Sequence, residues 1–362
     1  MNLSRREMLA ASALMLARPV ISPAAAAQQP IILCWNENPY GPSPAARAAA
    51  SATIPLSCRY PDEENRQLID TIAAYERVSA DHLVLGTGSG ELLRALGFLY
   101  GQGGGEIIAA QPTYSELTDY AKYSGASLKF VPVNKELKHD LNAMHAAVTD
   151  RTRAVYICNP NNPTGTAVHN EELKPFINAM PDHVTTIVDE AYMDFADLYD
   201  VASVSDLVAK GKRVVILHTF SKIHGMAGIR MGYAISRPDI IKDLTAATMT
   251  SPNIFAVRAA RASLGDHEFL TTTRHRIVAS RRKITAELTR LGRPFAVPQG
   301  NFVFFDTGMP LAKFTGLMKE RNILVGRPFP PYDTWCRITI GTEPEVEAFL
   351  QALGPIVTSH SA

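Results

Sequence analysis

The chain has 362 residues, with 36 Lys and Arg against 35 Asp and Glu, for a formal net charge of +1. That balance offers no general attraction to nucleic acid or to an acidic membrane surface. Hydrophobic residues at 46% and charged residues at 20% exclude wholesale disorder, the length is that of about two domains, and no internal repeat points to a solenoid or propeller.

The chain opens with Arg5-Arg6, an apolar stretch from Met8 to Ala17, and small residues from Ala24 to Ala27. A charged start, a short apolar core and a small-residue end form an export signal, and the stretch is too short to span a bilayer. The paired arginines resemble a twin-arginine signal, which exports proteins already folded. The expectation is a signal over 1–27, cleavage after Ala27 and an exported, periplasmic location. An uncleaved anchor or a tail on a cytoplasmic protein is the alternative. Cys34, Cys58, Cys158 and Cys336 lie far apart, with no Cys-x-x-Cys to hold a metal. Four isolated small core residues is the expected reading, with a Cys34–Cys58 pair as the alternative in an oxidising compartment.

From Asp81 onward, short apolar runs alternate with helical stretches: His82–Leu85, Glu106–Ala110, Arg153–Cys158, Val184–Val188, Arg213–Leu217 and Ile229–Ile235. Continuous β-branched runs separated by helices predict a mostly parallel sheet covered on both faces. Such sheets bind ligands beyond the carboxyl ends of their strands. Toward the C-terminus the texture changes: a long basic helix-like stretch, Thr271–Leu291, precedes the short runs Asn301–Phe305, Ile323–Val325 and Arg337–Ile340, which predict a smaller α+β domain. The expected organisation is therefore α/β: an arm over 28–44, a large domain over 45–250 and a small C-terminal domain over 251–362.

Chemistry gathers after the strands. Gly86-Thr87-Gly88-Ser89-Gly90 opens a helix and reads either as a phosphate cradle or as a tight strand-to-helix turn. Asn159 to Gly165 forms a rigid turn that presents Asn162. Asp189 closes a wholly apolar strand, which is costly unless a cation meets it. Lys222 sits among glycines and apolar residues, where desolvation makes an amine nucleophilic. A lysine, an aspartate, hydroxyls and an arginine in this arrangement suit a pyridoxal-phosphate site.

The order Asn162, Asp189, Lys222, Arg230 resembles the fold-type I pyridoxal-phosphate aminotransferases, and more narrowly the histidinol-phosphate aminotransferase branch. The resemblance is carried by Asn36–Gly41, Tyr60-Pro-Asp62, Gly86–Glu91, Pro112-Thr-Tyr114, Asn159–Gly165, Val188–Tyr192, Thr219–Lys222, Ala227–Tyr233, Asn301-Phe302 and Arg337–Gly341. These motifs span nearly the whole chain after the signal.

The resemblance implies Lys222 as the Schiff-base lysine and proton shuttle, with Asp189 holding the pyridine nitrogen protonated. It implies Asn162 and Tyr192 at the ring's 3′ oxygen and Tyr114 on the ring face. The phosphate would lie against Ser89 and Gly90 with Thr219, Ser221 and Arg230. Tyr60 would reach a neighbour's phosphate, which implies a homodimer with shared sites. Arg337 would bind the substrate's acidic group, beside Asn162 and with Tyr40 lining the pocket. No metal is implied.

An arginine that directly follows the apolar run in the family is displaced here to Arg327, behind Gly326. A one-residue shift in a strand turns a side chain to the other face, so Arg327 is expected to miss the ligand. That shift and the export signal count against histidinol phosphate and favour an amino acid bound through its α-carboxylate. A pyridoxal-phosphate decarboxylase or lyase is the alternative enzyme, and an exported binding protein the alternative outside catalysis.

Overall fold

A computed structural model describes residues 29–197 and 199–359; the expected signal segment and its cleavage point lie outside them. The strands, in chain order, are β1 (Ile31–Leu33), β2 (Leu83–Gly86), β3 (Glu106–Gln111), β4 (Ser127–Pro132), β5 (Thr152–Cys158) and β6 (Thr185–Asp189). They continue as β7 (Val214–Thr219), β8 (Gly232–Ile235), β9 (Phe302–Asp306), β10 (Ile323–Val325) and β11 (Trp335–Thr339).

Seven of these form the central sheet, in the order β2-β8-β7-β6-β5-β3-β4. The β3–β4, β3–β5, β5–β6 and β6–β7 pairs are parallel, and β8 runs antiparallel to both its neighbours. Strands β5, β6 and β7 are buried almost throughout, because helices cover both faces of the sheet. One core cluster, with Val155, Ile157, Val188 and Ile216, fills one face; another, with Ile107, Tyr156, Ile187 and Val215, fills the other. Alternation along each strand sends successive side chains to the two clusters.

The run expected as a strand from Ile229 starts late, at Gly232, because Arg230 adopts φ 70°, a left-handed conformation that no strand accommodates. The helix Ile254–Leu264 packs against the helices Pro44–Ala52 and Asp62–Glu76. Its Ala256, Val257 and Ala260 enter the core of the central sheet, so the packing changes over after this helix and not at residue 251.

The second core gathers Ile277, Ile284 and Leu288 of the long helix His267–Arg290 with β9, β11 and the helix Glu343–Thr358. Strand β1 of the N-terminal arm pairs in parallel with β10, Ile31 opposite Ile323. The arm therefore docks on its own small domain and then crosses to the ends of the central strands. Arg281 ties the long helix to the segment after β6 and to the turn before β9: it donates to the carbonyls of Phe195 at 3.0 Å and Gly300 at 2.9 Å and pairs with Asp197 at 2.7 Å. All four cysteines are free thiols. Cys158 and Cys336 are core residues as expected, whereas Cys34 is half-buried and Cys58 exposed.

Candidate active site

A cavity of about 420 Å³ lies at the carboxyl ends of β5, β6 and β7. Its floor is the central sheet, and its roof is arm residues Cys34–Asn36 with Val325–Arg327 and Arg337 of the small domain.

Asp189 is the last residue of β6 and is almost wholly buried. Burial pushes its carboxyl up to about 6, against the N–H of Ala191, the Tyr156 hydroxyl and the charges of His218 and Lys222. Ala191 donates to it at 3.1 Å and Tyr156 at 3.2 Å. A carboxylate held so far from water wants a cationic or protonated partner in the cavity.

Lys222 follows β7 in the loop to β8, and its Nζ donates to the carbonyl of Asn36 at 3.0 Å. Burial, then the nearby Arg337 charge, brings its ammonium down to about 8, with Glu37 and Asp189 pulling the other way. A useful fraction of the amine is therefore neutral and nucleophilic near neutrality.

Between these groups and the small domain lies a chain of hydrogen bonds. Arg337 donates to Asn162 Oδ1 at 2.6 Å and to the carbonyl of Cys34 at 2.7 Å. Asn162 and Asn36 each donate to the Tyr192 hydroxyl, at 3.3 and 3.1 Å. Burial holds the Tyr192 and Tyr114 hydroxyls protonated far above the usual phenol range.

The opposite end of the cavity is built for an anion. Gly88, at φ 81°, precedes the helix Ser89–Gly101, whose free N–H groups face the cavity. The Arg230 guanidinium packs so close that a Cβ on Gly88 would lie 2.2 Å from its Nη2. Arg230 also donates to Ser221 Oγ at 3.3 Å, and Thr219 Oγ1 to Ser221 Oγ at 3.0 Å. A helix N-terminus, two hydroxyls and a guanidinium make a phosphate-sized cradle.

Of the residues expected at the site, Ser89, Gly90, Tyr114, Asn162, Asp189, Tyr192, Thr219, Ser221, Lys222, Arg230 and Arg337 all line this one cavity. Tyr40 and Tyr60 do not. The Tyr40 ring packs on the small-domain core, with the Arg276 guanidinium 5.2 Å from its centre, and Tyr60 is 92% exposed. Arg327, expected to miss the ligand, lines the cavity. Strand β10 ends at Val325, so the face alternation on which that expectation rested no longer applies at Arg327. Its guanidinium sits 4.5 Å from the centre of the Phe329 ring, and that of Arg337 lies 5.0 Å from the same centre.

Sequence reasoning gave no role to Asn36 or Tyr156. Asn36 adopts φ 55° and is locked by Thr339 Oγ1, which accepts its N–H at 2.8 Å, while Asn301 donates to its carbonyl at 3.1 Å. An asparagine between a tryptophan and a glutamate is a weak signal for a left-handed pivot; Tyr156, inside an apolar strand, gives no signal at all.

Residues 28–353 match the family of class I and II aminotransferases. The chain belongs to that family. It is 36% identical to a histidinol-phosphate aminotransferase of Moorella thermoacetica, over 90% of this chain and 85% of that one. It is equally 36% identical to an aromatic amino acid aminotransferase of Cutibacterium acnes, over 90% and 92%. The crystal structure of a histidinol-phosphate aminotransferase of Sinorhizobium meliloti with pyridoxal 5′-phosphate superposes with a TM-score of 0.84 at 25% identity, covering 96% of this chain and 97% of that one.

The chain is thus a pyridoxal-phosphate-dependent aminotransferase of fold type I. The aminotransferase cavity fits that cofactor. Its buried acid, its lysine of lowered basicity and its anion cradle stand at separate points of one space.

Proposed function

We propose that this aminotransferase works on an amino acid gripped through its α-carboxylate by Arg337, with Lys222 as the residue that carries the cofactor and moves the proton. The observation that carries the reading is the hydrogen-bonded path from Arg337 through Asn162 to Tyr192, whose ring centre lies 5.3 Å from Lys222 Nζ.

Pyridoxal phosphate supplies an electron sink for the bond broken at the substrate's α-carbon. The chain's residues set the rest. The cradle of Ser89, Gly90, Thr219, Ser221 and Arg230 would hold the phosphate, Asp189 would keep a proton at the ring nitrogen, and Asn162 and Tyr192 would contact the ring's 3′ oxygen. Tyr114 packs beside it. Lys222 would carry the cofactor, and its ammonium, lowered to about 8, would have a basicity suited to removing and returning a proton at the substrate's α-carbon.

The lining residues carry four cations, Lys222, Arg230, Arg327 and Arg337, against the single acid Asp189. A phosphate satisfies Arg230, and the other two guanidiniums remain for anionic substrate groups. Arg337 is tied down by Asn162 and Cys34 and suits a fixed α-carboxylate. Arg327, beside Phe329, faces the variable part of the substrate.

Two further properties belong to the same reading. Tyr60 is almost wholly exposed, in a stretch with exposed Ile54 at 65%, which suits a homodimer in which Tyr60 completes the partner's cradle. The twin-arginine segment suits export to the periplasm. Sedimentation of the mature protein, and fractionation of cells carrying Arg5→Lys with Arg6→Lys, test these.

The main test is the visible absorbance of the loaded protein against a donor panel of aromatic amino acids, glutamate, aspartate and histidinol phosphate. Conversion to the amine form of the cofactor by amino acids, lost in Arg337→Gln, is expected. A band that no donor converts transfers the assignment to decarboxylation or lyase chemistry. Preferential conversion by histidinol phosphate overturns the α-carboxylate reading.

A further inference from the structure

The turn that carries the phosphate cradle is held from outside the cavity. Gly88, the residue before the helix Ser89–Gly101, has no side chain to cap it, so the first N–H groups of the helix stay open to the cavity that Ser89 and Gly90 line. Glu91, in the first turn of the same helix, is not among the lining residues. Its Oε2 accepts the N–H of Thr87 at 2.6 Å. The Gly88 N–H goes to the Gly86 carbonyl at 2.8 Å, and that of Glu91 to the Gly88 carbonyl at 3.2 Å. The donors of Thr87, Gly88 and Glu91 are thus committed within the turn, and those of Ser89 and Gly90 are left for an anion.

The other carboxylate oxygen of Glu91 reaches a distant part of the chain. Oε1 accepts the N–H groups of Met249 and Thr250, each at 3.1 Å, and the Thr250 hydroxyl at 3.3 Å. These two residues lie in the connection between the helices Pro238–Ala247 and Ile254–Leu264. The Thr250 hydroxyl is also 3.1 Å from that of Thr87, and the next residue, Ser251, accepts from Asn65 of the helix Asp62–Glu76 at 3.0 Å.

An ordinary capping box joins the third residue of a helix to the N–H just before the helix. Here that N–H, of Gly88, is already spent on Gly86, and the carboxylate bridges Thr87 to a segment 158 residues away in sequence. A glutamate suits the bridge because both its terminal atoms accept, whereas a glutamine offers one acceptor and one donor.

We propose that Glu91 is a positioning residue for the cofactor phosphate: by tying Thr87 to the 249–250 segment, it fixes the turn at Gly88 in the conformation that presents the Ser89 and Gly90 N–H groups. The inference rests on the assignment of this cradle to the cofactor phosphate given above. Gly88 needs such a hold, because a glycine at φ 81° has many other conformations open to it and no side chain to select one. A turn free to relax must be ordered when phosphate binds, which costs affinity. A braced turn is ordered by the fold itself.

The test compares two ligands that differ only in the phosphate, pyridoxamine 5′-phosphate and pyridoxamine, neither of which bonds to Lys222. Their dissociation constants are measured on the apoprotein of wild type, Glu91→Ala, Glu91→Gln and Arg230→Gln. The ratio of the two constants gives each protein's preference for the phosphorylated form. Glu91→Ala is expected to weaken pyridoxamine 5′-phosphate about tenfold, the scale of a lost hydrogen bond to a charged acceptor, and to leave pyridoxamine unchanged. Glu91→Gln keeps one acceptor and is expected to fall between Glu91→Ala and wild type.

A preference lowered in Glu91→Ala supports the proposal. Equal weakening of both ligands would mean a general structural role and overturn it, as would no weakening of either. If Glu91→Ala does not fold, the isosteric Glu91→Gln decides, a lowered preference supporting the proposal and an unchanged one overturning it. Arg230→Gln separates the two levels. A preference lowered there but not in the Glu91 variants removes only the Glu91 inference. A preference unchanged in Arg230→Gln removes the assignment of the cradle, and the inference with it.

Discussion

The two ends of the active-site cavity are assembled in different ways. The cofactor end comes from short stretches at neighbouring strand ends, Gly86–Gly90, Asp189 and Thr219–Arg230, each set by one turn on a rigid, buried sheet. The substrate end comes from the arm at Cys34–Asn36, from Val325–Arg327 and from Arg337. These are joined across the chain by contacts such as Arg337 to the Cys34 carbonyl, 303 residues apart. A parallel sheet fixes the first kind of site wherever the sheet folds. The second exists only when the small domain and the arm close over the first, so substrate choice can vary while the cofactor machinery stays in place.

Breaking the cofactor end should cost most. Lys222→Ala removes both the covalent anchor and the proton carrier, and is expected to lower the rate of amino transfer by about 10⁴-fold or more, read in single-turnover absorbance. The cavity and phosphate cradle are otherwise untouched, so the variant should still bind pyridoxamine 5′-phosphate. Asp189→Asn keeps the shape and the contact with Tyr156 but loses the charge. A drop of about 10² to 10³ in kcat is expected, with little change in melting temperature. A kcat within a few-fold of wild type would show that the buried carboxylate has no electrostatic part in the reaction.

Breaking the substrate end should cost less and fall on a different constant. Arg337→Lys keeps the charge but cannot reach both Asn162 and the Cys34 carbonyl while also forking to a carboxylate. The loss of charge-assisted hydrogen bonds of about 1.5–3 kcal/mol predicts a KM raised roughly 10- to 100-fold, with kcat reduced much less. A fall in kcat with KM unchanged would place Arg337 among the groups that act only in the transition state, and the division between the two ends would fail.

The same contrast decides what could be read from the sequence. Asp189 and Lys222 stood out because each was the wrong residue for its surroundings: a carboxylate ending an apolar strand, an amine among glycines. The cradle showed through Gly88 and Ser89 because a tight turn and a helix start leave local marks. Ordered motifs along the chain supplied the family.

Asn36, Tyr156 and Arg327 escaped for reasons of long-range geometry. Asn36 matters because a φ of 55° and Thr339 aim it at Tyr192, and Tyr156 because strand pairing brings its hydroxyl to Asp189. Arg327 borders the cavity because β10 ends at Val325, so the face alternation of a strand does not set its direction. The packing of the helix Ile254–Leu264 against the sheet was likewise invisible, since an amphipathic helix does not announce which of two cores it joins.

The smallest effect tests whether the two ends are electrically independent. The Lys222 ammonium is lowered to about 8, so the neutral amine is a minority below that pH and the bulk of the population above it. Since only the neutral amine attacks a carbonyl, loading of the apoprotein with pyridoxal 5′-phosphate should run about tenfold faster at pH 9 than at pH 7. Burial is the largest cause of the lowering, and the charge of Arg337 is the next. Replacing that charge in Arg337→Gln should therefore move the midpoint of the loading profile to higher pH, because the ammonium loses a repulsive neighbour while Asp189 and Glu37 still favour it. Stopped-flow loading across pH reads this without any substrate present. A midpoint that stays in place would mean that the guanidinium is screened from the lysine, and that substrate binding at Arg337 leaves the basicity of the catalytic amine unaltered. A shift means that a carboxylate settling on Arg337 neutralises the charge that keeps Lys222 reactive and so raises the proton affinity of the amine, just when Lys222 must take a proton from the α-carbon.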